Sequence, residues 1–199
     1  KLPATVWYPI ANDINGAPFK YLGVIDSPSG AIENAKPAAG PFPLVVFSHG
    51  NQGVRQQSVF LTEALARAGY VVVAPDHVGN TFFDFDAKAV WAMSILRPLD
   101  VKATISRMLE PLASDPPWLK GLVDPTHIGV TGHSFGGFTT LAVAGVQVAP
   151  TVATQLQIGD RPPADALLRR LRTLLTTYAE AGGREPVVLL IADAGFSAY

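Results

Sequence analysis

The sequence predicts one α/β domain, built on a mostly parallel β-sheet with helices on its faces. Three short segments rich in apolar and β-branched residues are typical of strands buried on both faces of such a sheet: Leu44–Phe47, Tyr70–Ala74 and Ile128–Thr131. Segments with helical periodicity alternate with them along the chain. The composition agrees, because 48% of the 199 residues are hydrophobic and only 16% are charged, which is enough to bury a sizeable core.

The first third of the chain begins with extended segments and leads into a βαβ unit. Ala4–Tyr8 and Tyr21–Asp26 are each predicted to be a strand, and the proline- and glycine-rich residues 27–43 a loop. A helix is expected from about Gln56 to Ala68, between two of the buried strands, and this order predicts a right-handed βαβ unit. Its predicted apolar side carries Phe60, Leu61, Ala64, Leu65 and Ala68.

The rest of the single domain, residues 1–199, adds further helices and a last strand. Pro98 stands where it can start a helix, whose apolar face begins at Val101. A helix of small apolar residues is expected from Ser134 to about Val146. Residues 150–183 are predicted to form a helical insertion or a lid-like segment, and Val187–Ile191 a further buried strand.

Composition and charge exclude several classes of protein. The chain has no cysteine, which rules out a disulfide framework, a thiolate nucleophile and a cysteine-ligated zinc site. Its 15 basic and 16 acidic residues are scattered, so no basic patch for nucleic acid is expected. No apolar run approaches the roughly 20 residues of a transmembrane helix. The chain starts without methionine or an export signal and is expected to be cropped at its front.

Four acidic or histidine side chains raise the question of a metal site: Asp76, His77, Asp84 and Asp86. Their spacing fits no standard metal-binding pattern, and such residues commonly cap turns and helices or face solvent. We therefore predict no metal site.

The strongest chemical signal is the run Gly132-His133-Ser134-Phe135-Gly136, which follows a buried strand and precedes an apolar helix. A nucleophilic serine on a strand-to-helix turn takes a strained backbone conformation that points its hydroxyl out of the sheet, and glycines two residues away on each side avoid collisions. The alternative is a glycine-rich helix start with a capping serine. The spacing does not fit a dinucleotide-binding motif. Ser134 is the candidate nucleophile.

A second signal, Ser48-His49-Gly50-Asn51, follows the first buried strand. Acyl transfer builds negative charge on a carbonyl oxygen, which two backbone N–H groups must already face. One donor is expected from Phe135, directly after the serine, and the other from Asn51, with Gln52 as the alternative. His49 is expected to support this loop by hydrogen bonding, although a catalytic base is the other possibility.

With these residues in place, the chain resembles the platelet-activating-factor acetylhydrolase and dienelactone hydrolase-like group of α/β-hydrolases. The matching stretches are Leu2–Pro9, Pro43–Gly50, Gly69–Thr81, Arg97–Val101 and Asp124–Gly137. The resemblance implies an α/β-hydrolase fold, Ser134 as the nucleophile and the His-Gly turn as the oxyanion loop. It also implies hydrolysis of carboxylic esters with short acyl groups.

One feature departs from that pattern. In α/β-hydrolases the acid and the histidine follow the serine along the chain, whereas the four histidines here are His49, His77, His127 and His133. Among these, His77 is expected to be structural and His127 to face solvent, and the His133 side chain to leave the turn in another direction. We expect the chain to stop before the last strands and the catalytic histidine, and so to be inactive alone.

For the acid of the triad the sequence offers Asp193, after the last predicted strand; an ordinary turn residue is the alternative role for it. For the intact protein we expect a carboxylic ester hydrolase that forms an acyl-enzyme, uses no cofactor and acts on a small-molecule or lipid-like ester. The alternatives are a thioesterase, a polyester hydrolase or a peptidase on the same scaffold, or a binding protein without catalysis.

Overall fold

A computed structural model describes residues 2–11 and 16–145, in which six strands, three α-helices and a short 3-10 turn at Pro117–Leu119 follow one another. In chain order these elements are β1 (Ala4–Trp7), β2 (Lys20–Tyr21), β3 (Ile25–Asp26), β4 (Phe42–Ser48), α1 (Val59–Arg67), β5 (Val71–Pro75), α2 (Val90–Leu109), β6 (Val123–Gly132) and α3 (Phe135–Val143). The order of the main sheet is β1-β5-β4-β6. Strands β5, β4 and β6 run parallel and β1 is antiparallel, which confirms the predicted α/β fold.

The register of the parallel strands brings their carboxyl ends to one edge of the sheet. Val46 pairs with Val73 of β5 on one side and with Val130 of β6 on the other, and Ser48 pairs with Gly132. The segments that follow β4, β5 and β6 therefore meet at this edge, where α/β proteins place their sites.

Strands β4 and β5 are buried on both faces of the sheet, whose alternate residues point to opposite sides. Strand β6, at the end of the sheet order, is exposed over residues 125–128, so the prediction that the strand from Ile128 is buried on both faces is wrong at its start. On the face covered by α2, Leu44, Val46, Val71, Val73, Val101, Met108, Leu119, Leu122 and Val123 form one cluster. On the other face, Trp7, Tyr21, Phe47, Ala66, Val72 and Ala74 form a second cluster, against which α1 packs. Burial on both faces is the reason why β4 and β5 are apolar along their length, without an alternation of apolar and polar residues.

The segment Tyr21–Asp26 is a hairpin, so the prediction of a single strand is wrong. Strands β2 and β3 pair antiparallel across the three-residue turn 22–24, in which the φ angles of Leu22 and Gly23 are 51° and 76°. The amide of Gly23 donates to the carbonyl of Lys20 and the amide of Val24 to the carbonyl of Tyr21. The two successive positive φ angles help to reverse the chain within these three residues.

Helix α2 begins at Val90, so the prediction that Pro98 starts it is wrong. Pro98 lies inside the helix, and the buried positions continue across it at helical spacing: Met93, Arg97, Val101, Thr104 and Met108. The helical spacing of buried residues before Pro98 is hard to recognise in the sequence, because one of the buried residues, Arg97, is charged. In addition, the apolar side chains of Trp91 and Ile95 are exposed.

The packed face of α1 only partly matches the apolar side predicted for this helix. Leu61 and Leu65 of that side are half-buried against the second cluster, whereas Phe60 is 65% exposed. Thr62, Glu63 and Ala66 are buried. Glu63 takes a buried position because it accepts hydrogen bonds from the β2–β3 hairpin and the turn after it. The hydrogen bonds of Glu63 therefore bring a polar position into the packed face of α1 and leave Phe60, on the apolar side, exposed.

The predicted segment 150–183, the strand Val187–Ile191 and Asp193 lie outside the described residues. Within the part of the chain that the structure describes, the helices are too short or too polar to cross a bilayer.

Candidate active site

Ser134 lies with His133 between the end of β6 and the start of α3, at the carboxyl edge of the sheet. Its φ and ψ are 53° and −113°, a combination that is strained for any residue with a side chain. The side chain is exposed. A strained turn that directs a serine hydroxyl to solvent at a strand end is the geometry required of a nucleophile in this kind of sheet.

The glycines on both sides of Ser134 are required by space. A Cβ atom on Gly132 would lie 2.5 Å from the carbonyl carbon of Gly136. A Cβ atom on Gly136 would overlap the carbonyl oxygen of Ser48. The turn of residues 132–136, called here the serine turn, therefore packs backbone to backbone against the end of β4.

The loop of residues 49–52, called here the 49–52 loop, lies beside the serine. The amide of His133 donates to the carbonyl of Ser48 over 3.1 Å, and a Cβ atom on Gly50 would lie 3.5 Å from Ser134 Cβ. The two segments that the sequence predicts to act together are thus adjacent.

The hydrogen bonds of the 49–52 loop decide which amides are free. Gln57 Oε1 accepts from the Gly50 amide over 2.9 Å, while Gln57 Nε2 contacts His133 Nδ1 over 2.8 Å. No described residue accepts a hydrogen bond from the amides of Asn51, Gln52 or Phe135. The predicted donors Asn51 and Phe135 are therefore available to a ligand, with Gln52 still an alternative, whereas the Gly50 amide is engaged.

His49 is buried and supports the loop, which confirms the structural role predicted for it. Its Nε2 accepts from the His77 amide over 3.1 Å, so Nδ1 carries the proton and donates to the Gly50 carbonyl over 2.8 Å. Burial is the main reason why the pKa of His49 is lowered to about 4; the hydrogen bond to the Gly50 carbonyl opposes this shift, and the charge of Arg97 adds to it. The imidazole is neutral at pH 7 and has no free nitrogen for catalysis.

His77 forms a Ser–His–carboxylate arrangement that faces the interior. Its Nδ1 lies 2.9 Å from Asp100 Oδ2 and its Nε2 lies 2.9 Å from Ser48 Oγ. Burial lowers the pKa of His77, so the neutral ring donates to Asp100 and accepts from the Ser48 hydroxyl. Since Ser48 and His77 are both fully buried, this set cannot attack an external carbonyl. The predicted structural role of His77 is confirmed.

Arg97 and Gln57 are polar residues of this edge that the sequence did not single out. Arg97 is fully buried; it donates to Asn80 Oδ1 over 2.7 Å, to Ser48 Oγ over 3.1 Å and to the His49 carbonyl. Burial lowers the pKa of Arg97 to about 9, which the charge of Asp100 opposes, and the guanidinium stays charged at pH 7. Neither residue belongs to a local sequence motif. Arg97 was named only as the first residue of the stretch Arg97–Val101, which matches the family.

The two remaining histidines do not reach the serine hydroxyl either. His127 is exposed beside Asp124, as predicted, and His133 is exposed and bonded to Gln57. Within residues 2–11 and 16–145, no side chain forms a hydrogen bond with Ser134 Oγ. The described residues thus bring together the candidate nucleophile and amides without a hydrogen-bond acceptor, and in this part of the chain no side chain is hydrogen-bonded to the serine hydroxyl.

The acidic residues that raised the question of a metal site have other partners. Asp76 forms an ion pair with Arg55, and Asp84 accepts from the amides of Gly79 and Thr81. Asp86 accepts from the Lys88 amide. Asp84 and Asp86 thus accept hydrogen bonds within turns, and Asp76 is buried in an ion pair instead of taking the solvated or helix-capping role expected from the sequence.

A cavity of about 800 Å³ lies along β1 and includes Trp7, Tyr21 and Trp118 in its lining. Because β1 and β6 are at opposite ends of the sheet order, this cavity is not beside Ser134.

Comparison with known proteins extends these observations. The dienelactone hydrolase family model matches residues 31–188. Among solved structures, a ferulic acid esterase from Streptomyces cinnamoneus superposes with a TM-score of 0.59 at 27% identity, over 73% of this chain and 48% of that chain. A putative dienelactone hydrolase from Klebsiella pneumoniae gives a TM-score of 0.42 at 21% identity, over 57% of this chain and 47% of that chain.

The chain thus spans about half the length of these two structures. Comparison with curated proteins gives no match. The family match covers most of the chain and includes the 49–52 loop and the serine turn, so the chain belongs to the dienelactone hydrolase family and has the α/β-hydrolase fold.

Proposed function

We propose that the full-length protein is a carboxylic ester hydrolase that forms an acyl-enzyme on Ser134. The observation that carries the proposal is an exposed serine with strained backbone angles, which lies beside two backbone amides. No described residue accepts a hydrogen bond from these amides. Membership of the dienelactone hydrolase family and the likeness to a ferulic acid esterase support it.

In the proposed reaction, Ser134 Oγ forms a bond to the ester carbonyl carbon and the carbonyl π electrons move to the oxygen. The amides of Phe135 and Asn51 stabilise this oxyanion. Collapse of the intermediate breaks the bond to the alcohol, which leaves with a proton, and water then releases the acid and restores the serine. The proton must pass through a general base. Because none of the four histidines contacts the Ser134 hydroxyl, we assign the role of general base to a group other than these histidines.

An apolar surface beside the 49–52 loop suits the hydrophobic part of an ester. The Phe82 amide donates to the Gly53 carbonyl over 3.2 Å, which fixes the start of this surface against the end of the loop. The rings of Phe82 and Phe83 are each 73% exposed. We propose small esters with short acyl groups as substrates, and the ferulic acid esterase adds an aromatic acyl ester to the set to be tested.

The test is hydrolysis of 4-nitrophenyl acetate, 4-nitrophenyl butyrate and a ferulate ester by the full-length protein and two serine variants. Ser134→Ala is expected to lower kcat/KM by at least about 1,000-fold, because it removes the nucleophile. Ser106→Ala is the matched control, since Ser106 is exposed on α2, and it is expected to keep the parent rate. Equal rates for Ser134→Ala and the parent protein would refute the assignment of Ser134 as the nucleophile. If the parent protein hydrolysed no ester or thioester, the alternative of a binding protein without catalysis would be favoured.

A further inference from the structure

The two proposed oxyanion donors come from different parts of the chain. The Asn51 amide belongs to the loop after β4, and the Phe135 amide belongs to the first turn of α3. Oxyanion donors act only when they point at one position to within a fraction of an ångström. Something must therefore hold the 49–52 loop against the start of α3.

Arg97 contacts both the 49–52 loop and the start of α3. Its Nη2 donates to the carbonyl of His49, and its guanidinium carbon lies 4.6 Å from the centroid of the Phe135 ring. A second path runs through Asn80, which accepts from Arg97 Nη1 over 2.7 Å and donates to Asn51 Oδ1 over 2.8 Å. One side chain is thus connected to the residues that carry both proposed donors.

The guanidinium is suited to this position by its shape. Its N–H groups donate to the His49 carbonyl, Ser48 Oγ and Asn80 Oδ1, while its central carbon lies over the Phe135 ring. Lysine has one ammonium group on a flexible stem and cannot hold the same set of partners together.

Fold stability alone does not explain an arginine here. Arg97 has no carboxylate partner among the described residues, and its Nε has no hydrogen-bond acceptor. Burying a cation in this way is costly, whereas Met93 and Val101 fill neighbouring positions on the same helix face with apolar side chains. Asp100, whose charge acts on Arg97, bonds to His77 instead.

We propose that Arg97 is a positioning residue of the oxyanion site, which fixes the 49–52 loop relative to Phe135 so that the Asn51 and Phe135 amides converge. This inference rests on the proposed function, because it describes the same site.

Arg97→Lys in the full-length protein tests the inference. We expect kcat/KM for 4-nitrophenyl acetate to fall about 10- to 100-fold, because small displacements of donors cost that much, with KM changed by less than about twofold. The affinity for a short-chain alkylboronic acid, which forms a tetrahedral adduct on the serine, is expected to fall in parallel. A loss of stability alone would not change this affinity in the folded protein.

Val101→Ala is the matched control for stability. Val101 is fully buried on the same face of α2, four residues further along, and contacts the core. We expect this variant to lower the thermal midpoint while kcat/KM and boronate affinity stay within about twofold of the parent. Asn80→Ser, which cuts only the path to Asn51, is expected to lower kcat/KM with KM unchanged, and it carries the test if Arg97→Lys does not fold.

The inference is overturned if Arg97→Lys, or Asn80→Ser in its place, keeps parent kcat/KM and boronate affinity, or if only KM changes. In that case Ser134-dependent hydrolysis by the parent protein would leave the proposed function intact. A parent protein without such hydrolysis would overturn both.

Discussion

At the scale of single residues, the site depends on a few backbone contacts around Ser134. The serine can keep its strained φ only because the serine turn is packed against the end of β4, with the His133 amide bonded to the Ser48 carbonyl. Gly132 and Gly136 make this close packing possible. The hydroxyl is therefore positioned by main-chain atoms that the sequence motif specifies directly.

A pair of glycine variants tests this packing. Gly136→Ala is expected to lower ester hydrolysis by at least about 100-fold and to lower the thermal midpoint, because the new Cβ would overlap the Ser48 carbonyl oxygen and displace the turn.

Gly137→Ala is the matched control, since its Cβ would lie 3.6 Å from the Gly132 carbonyl oxygen, an ordinary contact. Alanine also favours the helix by up to about 1 kcal/mol. Activity and circular dichroism melts of both variants are the measurements. Loss of activity in both, or in neither, would contradict the packing explanation.

The same scale shows where sequence reasoning succeeds and where it stops. Ser134 could be found because strand, glycine spacing and helix are all local. Gln57 and Arg97 could not, because their partners lie 76 and 48 residues away along the chain, at His133 and His49. Such contacts exist only once the loops at the sheet edge have come together.

At the scale of elements, polar anchors override apolar periodicity. Glu63 on α1 is buried and accepts from Tyr21 Oη over 2.5 Å, from Ser27 Oγ over 2.7 Å and from the Ser29 amide over 2.8 Å. Burial alone would raise the pKa of Glu63, but hydrogen bonds from Ser29, Tyr21 and Ser27 outweigh it and lower the pKa. The carboxylate thus docks the β2–β3 hairpin region on the helix, and this explains why the packed face of α1 only partly matches its apolar side.

Removing the charge of this anchor gives the prediction at this scale. Glu63→Gln is expected to lower the free energy of unfolding by about 1–3 kcal/mol, because one amide N–H₂ would face hydroxyl and amide donors. Amides of the β2–β3 hairpin are expected to exchange faster with solvent.

Urea unfolding and hydrogen exchange measure these two effects. The control is Glu110→Gln, because Glu110 is exposed just after α2. If the two variants had the same free energy of unfolding, the anchoring role of Glu63 would be rejected.

At the scale of the whole molecule, the parallel sheet explains why distant motifs form one site. Ser48 and Gly132 are paired at the ends of β4 and β6, so the segments after them are neighbours. This arrangement could be predicted, since three apolar strands alternate with helices. The positions of the helix ends and the course of the hairpin could not, because Pro98 and the turn at Leu22 depend on packing across the molecule.

The central claim is that Ser134 is the nucleophile, and labelling of the full-length protein with a fluorophosphonate followed by mass mapping of its peptides tests it most directly. We expect the label on the peptide that contains Ser134, and no label in the Ser134→Ala variant. Ser48, which is hydrogen-bonded to His77 but fully buried, is expected to remain unlabelled. A label on Ser48, or no label at all on the active protein, would contradict the account.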